Sequence, residues 1–434
     1  MACHFLVTLN QWKTSEPGPI WGKNMPSTVH HKLNRFILAD GFPHVIDWKR
    51  SKDSWFVDAT DGQRYLDCYS MHASQPLGWN HPKLATKLAG LPLIETRPCN
   101  SDFYSQEYAD FVEHMSEVTP DFHKYFFIDT GTLAIENAIK AAFDWKAQKM
   151  GWHDEHDGIL DVIHLQEAFH GRSGYTLSLT NTGLIKTKWY PQFKWTRILN
   201  PKTTSNDVAL AEAVSLKQAE QALRNGNVAA IILEPIQGEG GDNHFRKEFF
   251  DGLRRLADQY EAMLIIDEVQ SGVGITGKMW CYEHFGIIPD MIAFGKKTQI
   301  CGFCSTKRID EVATNVFTTS GRINSTWCGS LADMQRCRVF LDIIKEDDLV
   351  RNAAKVGRYL MEKMQELSLL NLRGRGLMIA FDFPTVEERN DFYGCLSRKM
   401  LCLKCGSKSI RFRPHLSFTE EDADSAVEIL KACG

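Results

Sequence analysis

The chain has 434 residues, of which 43% are hydrophobic and 24% are charged, so it can bury a large core in about two domains. Its 50 Lys and Arg against 54 Asp and Glu give a net charge of −4 with no long block of one sign, which argues against a nucleic acid or an anionic membrane as partner. No apolar run reaches the roughly 18 residues that a membrane span requires.

The first residues carry no basic flank of the kind that opens a secretory signal. We therefore expect residues 1–26 to be a poorly ordered leader and the protein to be cytoplasmic. Twelve cysteines in such a chain indicate reduced thiols and not a disulfide framework. Cys301/Cys304 and Cys402/Cys405 have the local spacing of zinc ligands, but the two pairs lie too far apart for a zinc ribbon. We expect free thiols there, the first pair in a loop rich in small residues, and no metal site.

Short β-rich runs alternate with helical patterns through the middle of the chain. The predicted strands are 124–129, 159–164, 228–233, 263–266 and 291–294, and helical periodicity covers 133–149 and 249–260. Several of the strands are apolar almost throughout, which is typical of a buried parallel sheet. The alternation predicts a doubly wound α/β domain over residues 91–330.

The remaining segments predict a smaller domain. Residues 331–367 have helical periodicity, and 376–383 and 409–418 alternate as strands. Together, residues 27–90 and 331–434 are expected to form a small α+β domain built from both ends of the chain.

Side chains suited to ligand binding follow three of the predicted strands. Gly131 and Thr132 open a helix whose N–H groups could bind a phosphate, although an ordinary capped helix start has the same pattern. After the next strand, Phe169 could stack on a flat ring and Arg172 could bind a carboxylate. Glu239 lies in the Gly-rich turn that follows a third strand.

Two further strand ends carry an acid and an amine. Asp267 closes one apolar run, and Lys297 follows the next one thirty positions later. In an open α/β sheet both would face one crevice. Pyridoxal phosphate (PLP) needs this pair, because a lysine forms a Schiff base with its aldehyde and a carboxylate keeps its pyridine nitrogen protonated.

Together these residues resemble the class-III (ornithine/4-aminobutyrate type) PLP-dependent aminotransferases, which have the α/β fold type I. The resemblance runs from about residue 27 to the end of the chain. It is most specific in the segments 168–181, 234–242, 266–270, 294–299, 324–327, 373–376 and 410–414.

The resemblance implies cofactor roles for the residues at the strand ends. Lys297, and not the adjacent Lys296, would form the Schiff base, because the family places that lysine four residues before a pair of small residues. Asp267 would pair with the pyridinium, Gln270 would contact the ring hydroxyl, and the helix start and the aromatic named above would hold the phosphate and one ring face. Thr326 would reach the phosphate of the neighbouring subunit's cofactor in a homodimer with shared active sites.

The resemblance also implies a reaction: the terminal amino group of L-lysine passes to 2-oxoglutarate, giving 2-aminoadipate 6-semialdehyde and L-glutamate by a ping-pong mechanism. Arg172 would bind the carboxylate far from the reacting carbon in both substrates. Arg411 would bind the near carboxylate of glutamate. Glu239 would neutralise Arg411 while lysine reacts, since an unpaired buried guanidinium is costly.

Departures from the family keep the amino donor open. Met71 and His72 stand where the lysine-specific members have two aromatics, in a segment that borders the substrate, and Cys328 stands where a glycine is usual. His72 could accept another donor tail or could be a structural histidine. The alternative donors are 4-aminobutyrate and ornithine. A third interpretation is a non-catalytic descendant of the family. The presence of all the expected acidic and basic residues argues against it: Lys297, Asp267, Arg172, Glu239 and Arg411.

Overall fold

The computed structural model describes residues 28–89, 91, 97–152 and 158–434, so the leader predicted over residues 1–26 lies outside the described residues. The strands are β1 Trp55–Val57, β2 Arg64–Asp67, β3 Lys124–Ile128, β4 Asp161–Leu165, β5 Arg197–Ile198, β6 Val228–Leu233, β7 Ile236–Gln237, β8 Asn243–His244, β9 Met263–Asp267, β10 Met291–Phe294, β11 Cys301–Ser305, β12 Leu370–Arg375, β13 Met378–Asp382, β14 Met400–Leu401, β15 Leu403–Cys405 and β16 Ser409–Phe412. The helices are α1 Thr28–Leu33, α2 Ser70–Ala73, α3 Pro82–Ala89, α4 Gln106–Val118, α5 Gly131–Lys149, α6 Gly174–Leu179, α7 Val208–Leu223, α8 Lys247–Gln259, α9 Leu331–Glu346, α10 Leu349–Gln365, α11 Val386–Leu396 and α12 Glu420–Lys431.

A seven-stranded sheet in the order β3-β11-β10-β9-β6-β4-β5 forms the centre of the molecule. Only β11 runs antiparallel to its neighbours, so the sheet is mostly parallel as predicted. Side chains of β9 alternate between two cores: Leu264 and Ile266 lie on the side of α8, whereas Met263 and Ile265 lie on the side of α5. Burial on both faces explains why this strand is apolar up to its last residue, Asp267.

Strand β11 corrects the interpretation of Cys301–Ser305 as a loop. Its register pairs Gly302 with Phe127 on one side and with Phe294 on the other. A Cβ on Gly302 would lie 2.3 Å from the carbonyl oxygen of Phe126, so this position admits only glycine without a backbone shift. The run of small residues hid the strand, because its β propensity is weak.

Of two smaller sheets, one is built from C-terminal strands alone and the other joins segments from both ends of the chain. An antiparallel sheet has the order β12-β13-β16-β15, and β1, β2 and β14 form another in which Leu66 of β2 pairs with Met400 of β14. The strand predicted over 409–418 ends at Phe412. The boundaries assigned above to the two domains stay a prediction.

Cys395 and Cys433 form a disulfide, so the prediction of reduced thiols is wrong for this pair. The bond joins α11 to the residues after α12. The two cysteines are 38 positions apart, and this spacing alone does not predict a disulfide. The four cysteines of the two Cys-x-x-Cys pairs are free thiols, as predicted. Within the described residues, no helix has the length and apolar character needed to cross a bilayer, and no group of three or more His, Cys, Asp or Glu side chains could hold a metal ion.

Candidate active site

A cavity of about 320 Å³ lies at the carboxyl edge of the large sheet. Its walls come from the segments that follow β3, β4, β6, β9 and β10, and from the start of the antiparallel β11. The sheet topology thus brings together side chains that are more than 160 positions apart in the chain, from Gly131 to Lys296 and Cys301. This edge is where open α/β sheets bind ligands.

Asp267, the last residue of β9, is one of the acids in the cavity. Its Oδ2 accepts a hydrogen bond of 2.8 Å from Nδ1 of His170, and its Oδ1 accepts one of 3.1 Å from the backbone N–H of Val269. Asp267 is 7% exposed and His170 is 3% exposed. The histidine therefore fixes the orientation of a nearly buried carboxylate, a role that the sequence interpretation missed although His170 adjoins the predicted Phe169.

The start of α5 forms a second wall. Gly131 begins the helix, and Thr130 before it has a φ of 76°, so the chain turns sharply from the strand into the helix. A Cβ on Gly131 would lie 2.9 Å from Val269, and one on Gly171 would lie 1.8 Å from Oγ1 of Thr132. Both glycines thus leave room for neighbouring side chains, and the N-terminus of this 19-residue helix lines the cavity, where its N–H groups favour an anion.

Phe169 lines the cavity and is held by Glu234. The backbone N–H of Phe169 donates to Oε1 of Glu234 at 2.9 Å, and Gly238 donates to Oε2 at 3.0 Å. Burial raises the pKa of Glu234 to about 7. Lys186, which was not predicted, has its Nζ 5.3 Å from the centre of the Phe169 ring.

The two adjacent lysines have different surroundings. Lys297 is 2% exposed, and its Nζ donates to the backbone carbonyls of Gln270 at 2.7 Å and Ala73 at 3.3 Å, outside the cavity. Lys296 lines the cavity together with Asp267. Burial lowers the pKa of Lys296 below its ordinary value, while the charge of Asp267 acts in the opposite direction. The geometry therefore corrects the sequence interpretation: consecutive residues of this turn point apart, and Lys296 is the amine in the cavity.

Glu239 and Arg411 form an ion pair at the cavity. Nη2 of Arg411 lies 3.1 Å from Oε2 of Glu239, and Nη1 lies 3.4 Å from Oε1 of Gln270. Arg411 is only 3% exposed, and its Nε is buried without a hydrogen-bond partner among the described atoms. Burial acts to raise the pKa of Glu239, but Arg411 and Lys186 outweigh it and hold that pKa below its ordinary value.

A second arginine from the same segment supports this arrangement. Arg413 forms an ion pair with Asp242, and both side chains are almost completely buried, at 1% and 0% exposure. Its Nε and Nη2 also donate to Oε1 of Gln270 at 3.1 and 3.0 Å. The side-chain oxygen of Gln270 is thus held by arginines, and its predicted contact with a ring hydroxyl stays a prediction.

Arg172 and Thr326 do not line the cavity. Arg172 is exposed, and its backbone N–H donates to Oγ1 of Thr132 at 3.2 Å. Thr326 is exposed as well, and its carbonyl oxygen accepts a hydrogen bond of 2.9 Å from Sγ of Cys99. Their roles toward a substrate carboxylate and toward a partner's phosphate stay predictions.

The segment that departs from the family has an unusual backbone. Ser70, Met71, His72 and Ala73 all have φ between 44° and 64°, a left-handed turn without glycine. The His72 ring packs edge-on against Tyr69 at 4.7 Å between centroids.

Nearby positive charges help to lower the pKa of His72. Desolvation by the surrounding protein lowers the pKa of His72 to about 4, and Arg411 and Lys296 act in the same direction. The ring is therefore neutral near pH 7. At another departure, Cys328 has a φ of 42°, which explains why glycine suits that position.

Comparison with known proteins gives the family. The model of the family described as Aminotransferase class-III matches residues 38–433. The chain is a class-III aminotransferase.

Two similar proteins have lysine in their names. The L-lysine-epsilon aminotransferase of Amycolatopsis lactamdurans is 44% identical, over 93% of this chain and 95% of that protein. The structure of lysine aminotransferase from M. tuberculosis in the internal aldimine form has a TM-score of 0.89 and 43% identity, and the match covers 94% of this chain and 99% of that one. A probable mitochondrial 4-aminobutyrate aminotransferase of Caenorhabditis elegans is more distant, at 33% identity over 96% of this chain and 92% of that protein. These matches confirm the resemblance and the α/β fold type I.

Class-III aminotransferases depend on PLP, and the cavity of this aminotransferase fits that cofactor. The helix start at Gly131 suits the phosphate, since its N–H groups face the cavity. If PLP were bound, the carboxylate of Asp267, oriented by His170, would be available to the ring nitrogen, and Lys296 would be the amine available to the aldehyde. Phe169 supplies an aromatic wall for the ring.

The buried Glu234 gives the aminotransferase a pH-dependent stability. Its pKa of about 7 lies above the ordinary 4.5, so the folded state binds this proton more tightly than the unfolded chain does. The resulting stabilisation is complete below the ordinary pKa and is lost as the pH rises through 7.

Replacing Glu234 by Gln removes this titration. Between about pH 6 and pH 8, we expect the free energy of unfolding of the wild type to fall by about 1 kcal/mol more than that of Glu234→Gln. Urea unfolding followed by circular dichroism at both pH values measures the difference. Equal changes in the two proteins would contradict the assignment.

Proposed function

We propose that this aminotransferase transfers the terminal amino group of L-lysine to 2-oxoglutarate, giving 2-aminoadipate 6-semialdehyde and L-glutamate. The main support for this proposal is the ion pair between Arg411 and Glu239. Lysine reacts at a carbon without a carboxylate, whereas glutamate reacts at a carbon that bears one. A single site can serve both only if the cation beside the reacting carbon is available to glutamate and is neutralised while lysine reacts.

The arrangement of Arg411 meets this requirement. With Glu239 in place, the buried guanidinium is paired and presents no free charge to the methylene chain of lysine. If Glu239 moved away, the Nη2 that it now binds would become available to the α-carboxylate of 2-oxoglutarate. Identities of 43–44% to proteins named for lysine, against 33% to one named for 4-aminobutyrate, favour lysine as the donor.

We further propose that Lys296 holds the cofactor and then moves the proton. PLP supplies an aldehyde that takes up the amino group and a ring that accepts electrons. Burial lowers the pKa of Lys296, which favours the free base, and its Nζ would take the proton from the carbon that bears the reacting nitrogen. Asp267 would keep the ring nitrogen protonated, and His170 would keep Asp267 in place.

A homodimer is part of the proposal. Thr326 is on the surface beside Trp327, which is 41% exposed. Its hydroxyl is thus free to contact a second copy of the chain, as the predicted contact with a neighbouring cofactor phosphate requires. The exposed position of Arg172 leaves its guanidinium available to the far carboxylate of either substrate.

A panel of donors tests the substrate assignment. Lysine, ornithine and 4-aminobutyrate are each supplied with 2-oxoglutarate to the PLP-loaded enzyme, and the glutamate formed is measured. We expect lysine to give the highest kcat/KM. A higher value for 4-aminobutyrate or ornithine would replace lysine as donor and would indicate that Met71 and His72, which stand in place of the two aromatics, change the donor specificity.

The Glu239–Arg411 pair predicts opposite effects of two substitutions. Arg411→Ala removes the cation for the α-carboxylate and should slow the glutamate half-reaction by roughly a hundredfold or more, because a buried charge partner is worth about 3 kcal/mol. Glu239→Ala leaves Arg411 unpaired and should slow the lysine half-reaction about tenfold while the glutamate half-reaction is preserved.

Stopped-flow absorbance of the bound cofactor measures each half-reaction separately. Lys404→Ala, on the neighbouring β15 and away from the cavity, serves as the control and should change neither. Equal slowing of both half-reactions by Glu239→Ala would mean that this carboxylate has a structural role.

A further inference from the structure

Glu239 is bound by two cations at once. Its Oε2 pairs with Arg411 at 3.1 Å, and its Oε1 accepts a shorter hydrogen bond of 2.6 Å from Nζ of Lys186. The three side chains differ in exposure, at 3% for Arg411, 21% for Lys186 and 35% for Glu239. The carboxylate thus bridges a buried guanidinium and a more accessible ammonium group.

Lys186 is held in place by contacts that do not involve Glu239. Its Nζ also donates to Oγ1 of Thr182 at 2.9 Å and lies 5.3 Å from the centre of the Phe169 ring. It ends the short 3-10 turn Leu184–Lys186 on the segment between α6 and β5. The ammonium group would therefore stay near the cavity if Glu239 released Arg411.

We propose that Lys186 is a positioning residue that sets substrate specificity, by retaining Glu239 when Arg411 binds the α-carboxylate of a substrate. The inference rests on the proposed function, in which one site accepts substrates with and without that carboxylate at the reacting carbon. Without Lys186, Glu239 would have no cation once Arg411 bound the substrate, and a half-buried carboxylate is costly to leave unpaired. With Lys186 present, Glu239 keeps its Oε1 bond and gives up only its Oε2 bond.

The two states of Glu239 differ in what they require of Lys186. While lysine reacts, Arg411 neutralises Glu239 whether or not Lys186 is present. While 2-oxoglutarate or glutamate is bound, Lys186 is the remaining partner of Glu239. Loss of the ammonium group should therefore weaken the binding of α-carboxylate substrates and leave the lysine half-reaction nearly unchanged.

Lys186→Met tests this, because it keeps the length and the packing of the side chain on Phe169 while removing the charge. In single half-reactions of the PLP-loaded enzyme, we expect the apparent Kd for 2-oxoglutarate and for glutamate to rise about tenfold, with limiting rates changed less than about twofold. The KM for lysine should change by less than about twofold. Lys186→Arg should restore most of the lost affinity.

Lys188→Met is the matched control. Lys188 belongs to the same segment, and its Nζ lies 4.7 Å from the centre of the Trp189 ring and not against Glu239. Removing its charge should change neither half-reaction. A loss equal to that of Lys186→Met would show that the effect comes from the net charge of the segment and would overturn the proposal.

A double-mutant cycle separates retention of Glu239 from other roles of Lys186. In a Glu239→Ala background, Lys186→Met should cause no further loss of 2-oxoglutarate affinity. A persistent tenfold loss would show that Lys186 binds the substrate directly or supports Phe169, and an unchanged Kd in the single variant would show that Glu239 needs no second cation. Either result overturns the inference.

The glutamate half-reaction needs no amino donor other than glutamate, so this test does not depend on lysine. If another amine proves to be the donor, the effect on 2-oxoglutarate should still appear, and only the donor assignment fails. If the wild type shows no glutamate half-reaction, the acceptor assignment and this inference fail together.

Discussion

Lys296→Ala is expected to abolish transamination, with a loss of roughly 10⁴-fold or more, because in the proposed mechanism Lys296 is both the amine that holds PLP and the base that moves the proton. The side chain lines the cavity with Asp267, and burial lowers its pKa. Borohydride reduction of the PLP-loaded wild-type enzyme, followed by peptide mapping, should place the label on Lys296. The label does not depend on the folding of any variant.

Lys297→Met serves as the matched control. The Nζ of Lys297 donates to the carbonyls of Gln270 and Ala73, so its removal should lower the stability of the protein and leave the covalent bond to PLP intact. A borohydride label on Lys297, or no label on either lysine, would overturn the assignment of Lys296.

Asp267→Asn is expected to retain some PLP and to lose most of its activity, by about 10³-fold in a single turnover. An amide cannot balance the positive charge on the ring nitrogen that makes the cofactor an electron acceptor. The substitution preserves the shape of the side chain, so a loss of rate would not come from a cavity. Single-turnover absorbance of the loaded enzyme with lysine or glutamate measures the loss.

His170→Phe is the companion variant, since it removes the hydrogen bond to Asp267 and keeps the carboxylate. We expect a smaller loss, of roughly tenfold, because a mispositioned carboxylate still carries its charge. Near-normal single-turnover rates in Asp267→Asn would refute the role given to this residue, whatever His170→Phe shows.

The regular pattern of the large sheet made much of the cavity predictable. Strands buried on both faces give nearly continuous apolar runs, so the sequence predicts β6, β9 and β10, and the polar residues at their carboxyl ends must gather at one edge. Asp267 and Glu239 were identified in this way. Arg411, 172 positions beyond Glu239, came from the family resemblance, and the structure places the two side chains 3.1 Å apart.

Other features depend on side-chain directions that spacing does not give. Lys296 and Lys297 are adjacent, and only the turn decides which one enters the cavity. His170, Arg413 and Lys186 contact predicted residues, but a histidine, an arginine and a lysine in polar segments have no pattern of their own. The β11 strand escaped prediction for a different reason, since Gly302 has little β propensity and interrupts its apolar run.

The pairing of β2 with β14 has a consequence for biosynthesis. Leu66 pairs with Met400, so this sheet cannot close before residue 400 has been synthesised and has left the ribosome. The large sheet, by contrast, uses residues from 124 to 305 and can form earlier. Arg411, on β16, and Arg413, directly after it, are synthesised after every charged residue that lines the cavity. We therefore expect nascent chains to form the large sheet first and to complete the ion pair between Glu239 and Arg411 later, after residue 411 has been synthesised.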